Sequence, residues 1–386
     1  MSRAARPFAA VAALLVLRAG VFELAAAEAQ RVPPTRPGES VAVSAPPPSA
    51  PRLAVTRIGD VDCVDLDEAL ARVGLKPRSR DASRKVNYTD GKSVRLVIEA
   101  ESREILANGL RVFLGEKITA KKGRLYISRS DYERCLVPIF RPALLEPALA
   151  PPRIIAIDPG HGGTDNGMEN AKLGLKEKEF TLDVALRLRK LLEVDGYTVV
   201  MTRSDDRIFS AEKKKDLPHR AAVANNAHAD LFVSIHFNSL YPDTRTNGTE
   251  VYVYTRQNQR SDQAWAPAEE DDTRKELMPV NRYDAWSSLF AQELHREVGT
   301  QLKTSDRGRK TKHLLVLQDL NCPAALVEAV FLSNDAEARL AATPVYRQKI
   351  AEAIADGVRA YSATLESLRP KPKTGTRAKP GASKRR

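Results

Sequence analysis

Two of the six histidines in this chain of 386 residues stand where an α/β protein gathers its chemistry. His161 lies in DPGHGG directly after the apolar run IIAID, and His236 lies in SIHFN directly after LFVSI. Ligand sites of open α/β sheets form beyond the carboxyl ends of strands, so two imidazoles 75 residues apart in sequence can converge there. Glu177, in GLKEKEF, precedes a helical pattern starting near Phe180 and returns to the same rim. Two histidines, one carboxylate and a water make a catalytic zinc set, whereas a structural site is usually closed by four protein ligands. Glu328 ends the apolar run of PAALVEAVFLSN, where a carboxylate is costly to bury unless paired or functional. His219, His228 and His295 fall on helices and His313 at the start of a strand, all among charged neighbours, which predicts surface positions. Gly160, Gly162 and Gly163 allow a tight turn around His161. A phosphate-cradling loop is the competing reading of DPGHGG, but its spacing matches neither GxGxxG nor a Walker loop, and no GK[ST] follows.

The elements that must position these groups are legible as a βα alternation from residue 153 onward. Strands are predicted at 154–158, 198–202, 231–235, 249–255, 313–317 (HLLVL) and 324–331; the first and third are continuous apolar runs of the kind buried on both faces. Phe180, Val184, Leu188, Leu191 and Leu192 fall on one helical face, which Gly196 ends. Further helices are predicted from Pro218 to residue 227, over 284–302 and over 345–366. The polar stretch 256–282, with EEDD at 269–272, reads as an insertion. The expected fold class is α/β: a single catalytic domain, 153–366, with a mainly parallel central sheet flanked by helices. It is preceded by a small α+β accessory domain at 53–144, where short strands are predicted at 61–64, 93–99, 110–114 and 125–128 with a helix at 67–73. Pro142, Pro147, Pro151 and Pro152 mark the boundary.

Composition excludes several classes. A 42% hydrophobic share rules out a wholly disordered chain. With 61 Lys+Arg against 49 Asp+Glu the net charge is +12, but 369–386 alone contributes eight positive charges and no acid. That tail (367–386) is basic and disorder-prone and lacks interleaved aromatics, so no nucleic-acid partner is expected; attraction to anionic wall polymer or a membrane surface, or no function, fits it better. Arg3 and Arg6 precede an apolar run at 8–17, and Ala27-Glu28-Ala29 offers a cleavage site, although Arg18 and Glu23 interrupt the pattern. A signal peptide at 1–29, a Pro-rich linker at 30–52 and export to the periplasm or cell envelope are expected, with no transmembrane segment in the mature chain. No Cys stands at the cleavage point to suggest a lipid anchor. Cys63 and Cys135 are spaced so as to allow a pair, leaving Cys322 odd; small buried thiols are the alternative.

In order, DPGHGG, GLKEKEFTLDVALRL, TRSDD, HRAAVANNAHADLFVSIHFN, GTEVY, RG followed by LLVLQ, and PAALVEAVFLSN resemble the zinc-dependent N-acetylmuramoyl-L-alanine amidases over more than half the chain. The resemblance implies Zn2+ held by His161, Glu177 and His236, with Glu328 as catalytic carboxylate. It favours Glu177 over Glu179 because Glu177 precedes Lys178 in the family's EK order. Arg220 and Asn238 also match, with orienting or substrate-binding roles, or a structural one for Arg220. Val330 replaces a glycine more usual in LVExGF, behind an intact carboxylate. The segment 53–144 resembles the N-terminal domain of copper amine oxidases, but it holds no histidine, so no copper site is expected and its role is positioning or wall contact.

The activity so implied is hydrolysis of the amide joining the lactyl group of N-acetylmuramic acid to L-alanine in peptidoglycan, for wall remodelling or daughter-cell separation. The alternative is a noncatalytic peptidoglycan-binding protein. In some relatives an inserted segment covers the metal until an activator protein moves it, so 256–282 is either such a lid or a plain loop.

Overall fold

A computed structural model describes residues 53–80, 85–254 and 281–370. The predicted signal peptide, linker, nearly all of the insertion and most of the basic tail lie outside these residues.

The N-terminal segment builds from short strands. It runs β1 (Val55–Ile58), β2 (Val61–Asp65), α1 (Leu66–Arg72), β3 (Lys76–Arg80), β4 (Lys85–Thr89), β5 (Arg95–Glu99), β6 (Glu104–Ala107), β7 (Leu110–Phe113), β8 (Thr119–Lys121) and β9 (Arg124–Ser128). Asp65 caps α1 by accepting the Glu68 N–H. A short α2 (Arg129–Asp131), a π turn at Tyr132–Leu136 and α3 (Val137–Phe140) close the segment. Asp131 is buried there, accepting the Gly115 and Glu116 N–H groups and the Ser128 hydroxyl. Cys63, Cys135 and Cys322 are all buried thiols, so the alternative reading of the cysteines holds among the described residues.

The segment from residue 153 onward follows as β10 (Ile154–Pro159), the small hairpin β11 (Glu169–Asn170) and β12 (Leu175–Lys176), α4 (Glu177–Val194), β13 (Thr198–Met201), α5 (Lys213–Asn226), β14 (Leu231–Asn238) and β15 (Thr249–Tyr254). Then come α6 (Asp284–Leu302), β16 (Asp306–Lys312), α7 (Leu315–Gln318), β17 (Ala324–Phe331), α8 (Asp335–Ala341) and α9 (Pro344–Leu368). The strand order β13-β10-β14-β17-β15-β16 contains one antiparallel pair, β15 with β17, and is otherwise parallel. The sheet then continues through β7-β6-β5-β4-β3 to eleven strands, while β1-β2-β9-β8 form a second sheet.

Both faces of the central strands are covered, which explains their unbroken apolar sequence. Ile155, Ile157, Val233 and Ile235 face the core shared with α4, α6 and α9. The alternate residues Ala156 and Phe232 face a second cluster with Ala221 and Ala224 of α5 and Val316 and Leu317 of α7. No helix among the described residues is long and apolar enough to cross a membrane.

Three sequence expectations need correction. HLLVL is not a strand: β16 lies just before it, and Leu315–Gln318 is helical. The strand DRGRKTK carries charge on positions that pair with Glu250, so it lacks the apolar alternation that marks a strand. Helix α5 begins at Lys213, five residues before Pro218, because Asp216 anchors its first turns by accepting the Phe209 N–H and bonding Arg220. That tertiary anchor outweighs the cost of an interior proline. Finally, His295 is buried, 1% exposed, with Nε2 2.9 Å from Asp306; the sheet on one side and α9 on the other leave α6 little free surface.

Candidate active site

His161, Glu177 and His236 come together at the carboxyl ends of β10 and β14, with one donor atom from each lying within 4.8 Å of the others. Glu177 opens α4, where the helix dipole favours an anion. Its carboxylate spans the two imidazoles, with Oε2 3.1 Å from His161 Nε2 and Oε1 2.9 Å from His236 Nδ1. The Met168 and Phe237 N–H groups donate to the same two oxygens, so Glu177 is fixed from four directions. Burial alone would raise its pKa, but the bonds and charges of His161 and His236 hold it well below the usual carboxylate range. For His161, burial opposes protonation; Glu177 and Asp165 outweigh it and raise the imidazole to about 9.

Glu328 sits in register with His236 on the neighbouring β14 and with Glu250 on β15. Its Oε2 is closed to solvent and meets no hydrogen-bond donor among the described residues. Burial, then the facing charges of Glu177 and Glu250, push its carboxyl well above the ordinary range. Glu179, the rival to Glu177, is not part of the cluster.

The loop holding His161 is braced by Asp165, Arg203 and Asp158, which carry no mark in the sequence, and by Arg220. Asp165 accepts from His161 Nδ1 at 2.9 Å and so orients the ring; the isolated bridge between Gly162 and Asp165 places it. Two buried arginines grip the loop carbonyls. Arg203 donates to the Pro159 and Gly160 oxygens, and Arg220 to those of Pro159 and His161. Arg220 is therefore a structural brace. Asp158 neutralises it, accepting Arg220 Nη1 at 2.9 Å and the hydroxyls of Thr202 and Ser234 at 2.6 Å. Burial would raise the Asp158 pKa, yet Arg220 and the two hydroxyls keep it low. Asp158→Ala should cost about 3 kcal/mol in chemical denaturation, because it strips a buried guanidinium of one of its two carboxylates. A loss below about 1 kcal/mol would contradict this account. Asn238 donates to Glu250 Oε2 at 2.7 Å rather than facing outward.

Gly162 and Gly163 take positive φ as expected, and so does His161 itself, at 61°. Gly167 was not anticipated. Its φ is +66°, and a Cβ there would stand 2.6 Å from both Glu177 Oε2 and His161 Cδ2. Gly167→Ala should therefore push the two groups apart and weaken metal binding about tenfold or more, measured by competition with a chelating dye. Unchanged affinity would show that the cluster tolerates the shift.

The donor set fits a metal: two imidazole nitrogens and one carboxylate oxygen are the ligand types and number of a catalytic zinc site with a position left open. Beside the cluster, His161 and His236 line a cleft of about 150 Å³ together with the apolar side chains of Leu314, Leu315, Val316 and Leu326.

The family model described as N-acetylmuramoyl-L-alanine amidase matches residues 155–360. The chain is 32% identical over 218 residues to the germination-specific N-acetylmuramoyl-L-alanine amidase of Bacillus subtilis (strain 168), covering 54% of this chain and 79% of that protein. It is 30% identical over 227 residues to N-acetylmuramoyl-L-alanine amidase AmiA of Escherichia coli (strain K12), covering 54% and 76%. Among solved structures, the catalytic domain of CwlV, an N-acetylmuramoyl-L-alanine amidase from Bacillus (Paenibacillus) polymyxa var. colistinus, is 30% identical, with 54% and 97% covered and a TM-score of 0.43. From the matched residues and these relatives, the chain belongs to the N-acetylmuramoyl-L-alanine amidase family.

Proposed function

We propose that the protein hydrolyses the amide between the lactyl carbonyl of N-acetylmuramic acid and the L-alanine nitrogen of the stem peptide, using zinc held by His161, Glu177 and His236. The observation that carries this reading is Glu328, whose Oε2 is closed to solvent and meets no hydrogen-bond donor among the described residues, one strand away from a His/Glu/His cluster. Zinc, when bound, supplies Lewis acidity, lowers the pKa of a water towards about 7 and offsets the Glu177 charge that raises Glu328. Glu328 takes a proton from the attacking water as its oxygen bonds to the lactyl carbonyl carbon. The same carboxyl then delivers that proton to the alanine nitrogen as the C–N bond breaks, leaving a free carboxylate and a free amine. Asp165 keeps the His161 ring turned so that Nε2 faces Glu177.

The wall location of the substrate agrees with the expected export and with a role in remodelling or daughter-cell separation. A purified full-length chain incubated with peptidoglycan should release new L-alanine amino groups and contain one zinc per chain. Binding to the wall with no new amino groups would instead mark a noncatalytic peptidoglycan-binding protein.

A further inference from the structure

Strand β7 of the N-terminal segment adds directly to the edge of the catalytic sheet. β16 pairs with β15 on one side and, through Arg309 opposite Val112, with β7 on the other. The Arg111 N–H donates to Asp306 at 2.8 Å, and the buried Arg309 guanidinium lies between Cys135 of the N-terminal segment and Ser288 of α6. Gly308 makes room at this seam. Its φ is +96°, and a Cβ there would stand 2.7 Å from the ring of Phe113, so the ring packs where only a glycine leaves space.

The Phe113 ring also lies beneath Lys310, with the ammonium 5.4 Å from the ring centroid. Lys310 Nζ reaches Glu250 Oε1 at 2.8 Å, where Arg307 Nε also donates at 2.7 Å. Oε2 of Glu250 accepts the Asn238 amide and the Tyr252 hydroxyl. Glu250 is the cross-strand partner of Glu328. A continuous series of contacts thus runs from the N-terminal segment to the residue opposite the candidate proton carrier. A lysine stem has four rotatable bonds, and holding its ammonium in one place needs partners on more than one side. Phe113 supplies the side that Glu250 does not, at a distance where the ring face attracts a cation.

We propose that Phe113 is a positioning residue of the catalytic centre: the N-terminal segment fixes Lys310 on Glu250, and so fixes the carboxylate that faces Glu328. This rests on the reading of Glu328 as the proton carrier, which Glu328→Gln tests by itself. The segment then acts in turnover through its packing, in addition to any contact with the wall.

The test is a double-mutant cycle in the full chain, with kcat and KM measured for amino-group release, together with zinc content and melting temperature. Phe113→Ala and Lys310→Met should each lower kcat about tenfold with KM and zinc content unchanged. If Phe113 acts through Lys310, the double variant falls no further than Lys310→Met alone. Losses that multiply to about a hundredfold, or a Phe113→Ala enzyme with wild-type kcat, would overturn the proposal. Phe113→Leu, which keeps apolar packing on Gly308, is run through the same cycle in case the alanine variant fails to fold: non-additivity supports the proposal and additivity overturns it. An inactive Glu328→Gln beside an additive cycle would leave the assignment of Glu328 standing and remove only the role of Phe113.

Discussion

Glu328→Gln is expected to bind zinc normally and to lose about 10²–10⁴-fold in kcat, the range that positioned proton transfer usually contributes. The amide fills the same space on β17, so the register with His236 and Glu250 is preserved. It cannot accept a proton from water, which removes both halves of the transfer. The substitution also has a signature that a structural role would not produce. In the parent chain Oε2 is buried without a donor and faces the carboxylates of Glu177 and Glu250. Such a group destabilises the fold, so its neutral replacement should leave the melting temperature equal or higher. Loss of activity with a raised or unchanged melting temperature and full zinc content is the expected triple result. Full activity in this variant would refute the assignment, and a large drop in melting temperature would contradict the account of Oε2 as an unpartnered, destabilising group.

How much of this site was legible depends on where the information sits in the chain. His161 and His236 stand out because each follows a continuous apolar strand, and the carboxyl end of such a strand is a local sequence feature. Glu177 and Glu328 are visible for a similar reason, the first at the start of an amphipathic helix and the second as a lone carboxylate in an apolar run, although Glu328 lies inside β17 and not at its end. The groups that hold them in place carry no such mark. Asp165 orients His161 through a loop closed by a single bridge, and Asp158 meets Arg220 across 62 positions of sequence. β16 was hidden because its charged side chains are satisfied by Glu250, so burial and polarity part company there. His295 went astray for the opposite reason: neighbours that look like a solvated face lie on a helix clasped between the sheet and α9. The edge-on joining of β7 to β16 rests on a short backbone pairing, the Arg111–Asp306 and Arg309–Cys135 contacts and the fit of Phe113 on Gly308, none of which leaves a periodic trace.

Stripping the metal should abolish turnover, and zinc should restore it with an affinity that climbs with pH. In the metal-free protein Glu177 and Asp165 raise His161 to about 9, so at pH 7 its imidazole carries a proton that a metal must displace. Zinc binding at pH 7 should therefore release about one proton from this residue, measurable by calorimetry in two buffers of different ionisation enthalpy. The same linkage fixes the sign for stability. A folded-state pKa raised from the ordinary 6.5 to about 9 contributes stability that is fully present below pH 6.5 and is lost as pH rises through 9. The effect is on the order of 3 kcal/mol. Glu177, held low by the two imidazoles, contributes in the other direction: its stabilisation is present above the ordinary carboxylate range and lost as pH falls below it. The metal-free protein should consequently melt highest between about pH 4.5 and 6.5 and lower by pH 9. Zinc-loaded protein should show no such fall, because metal takes the place of the proton and binds better as the imidazole deprotonates. Parallel melting curves for the two forms across pH 6 to 9, or zinc uptake without proton release, would show that His161 is not a ligand.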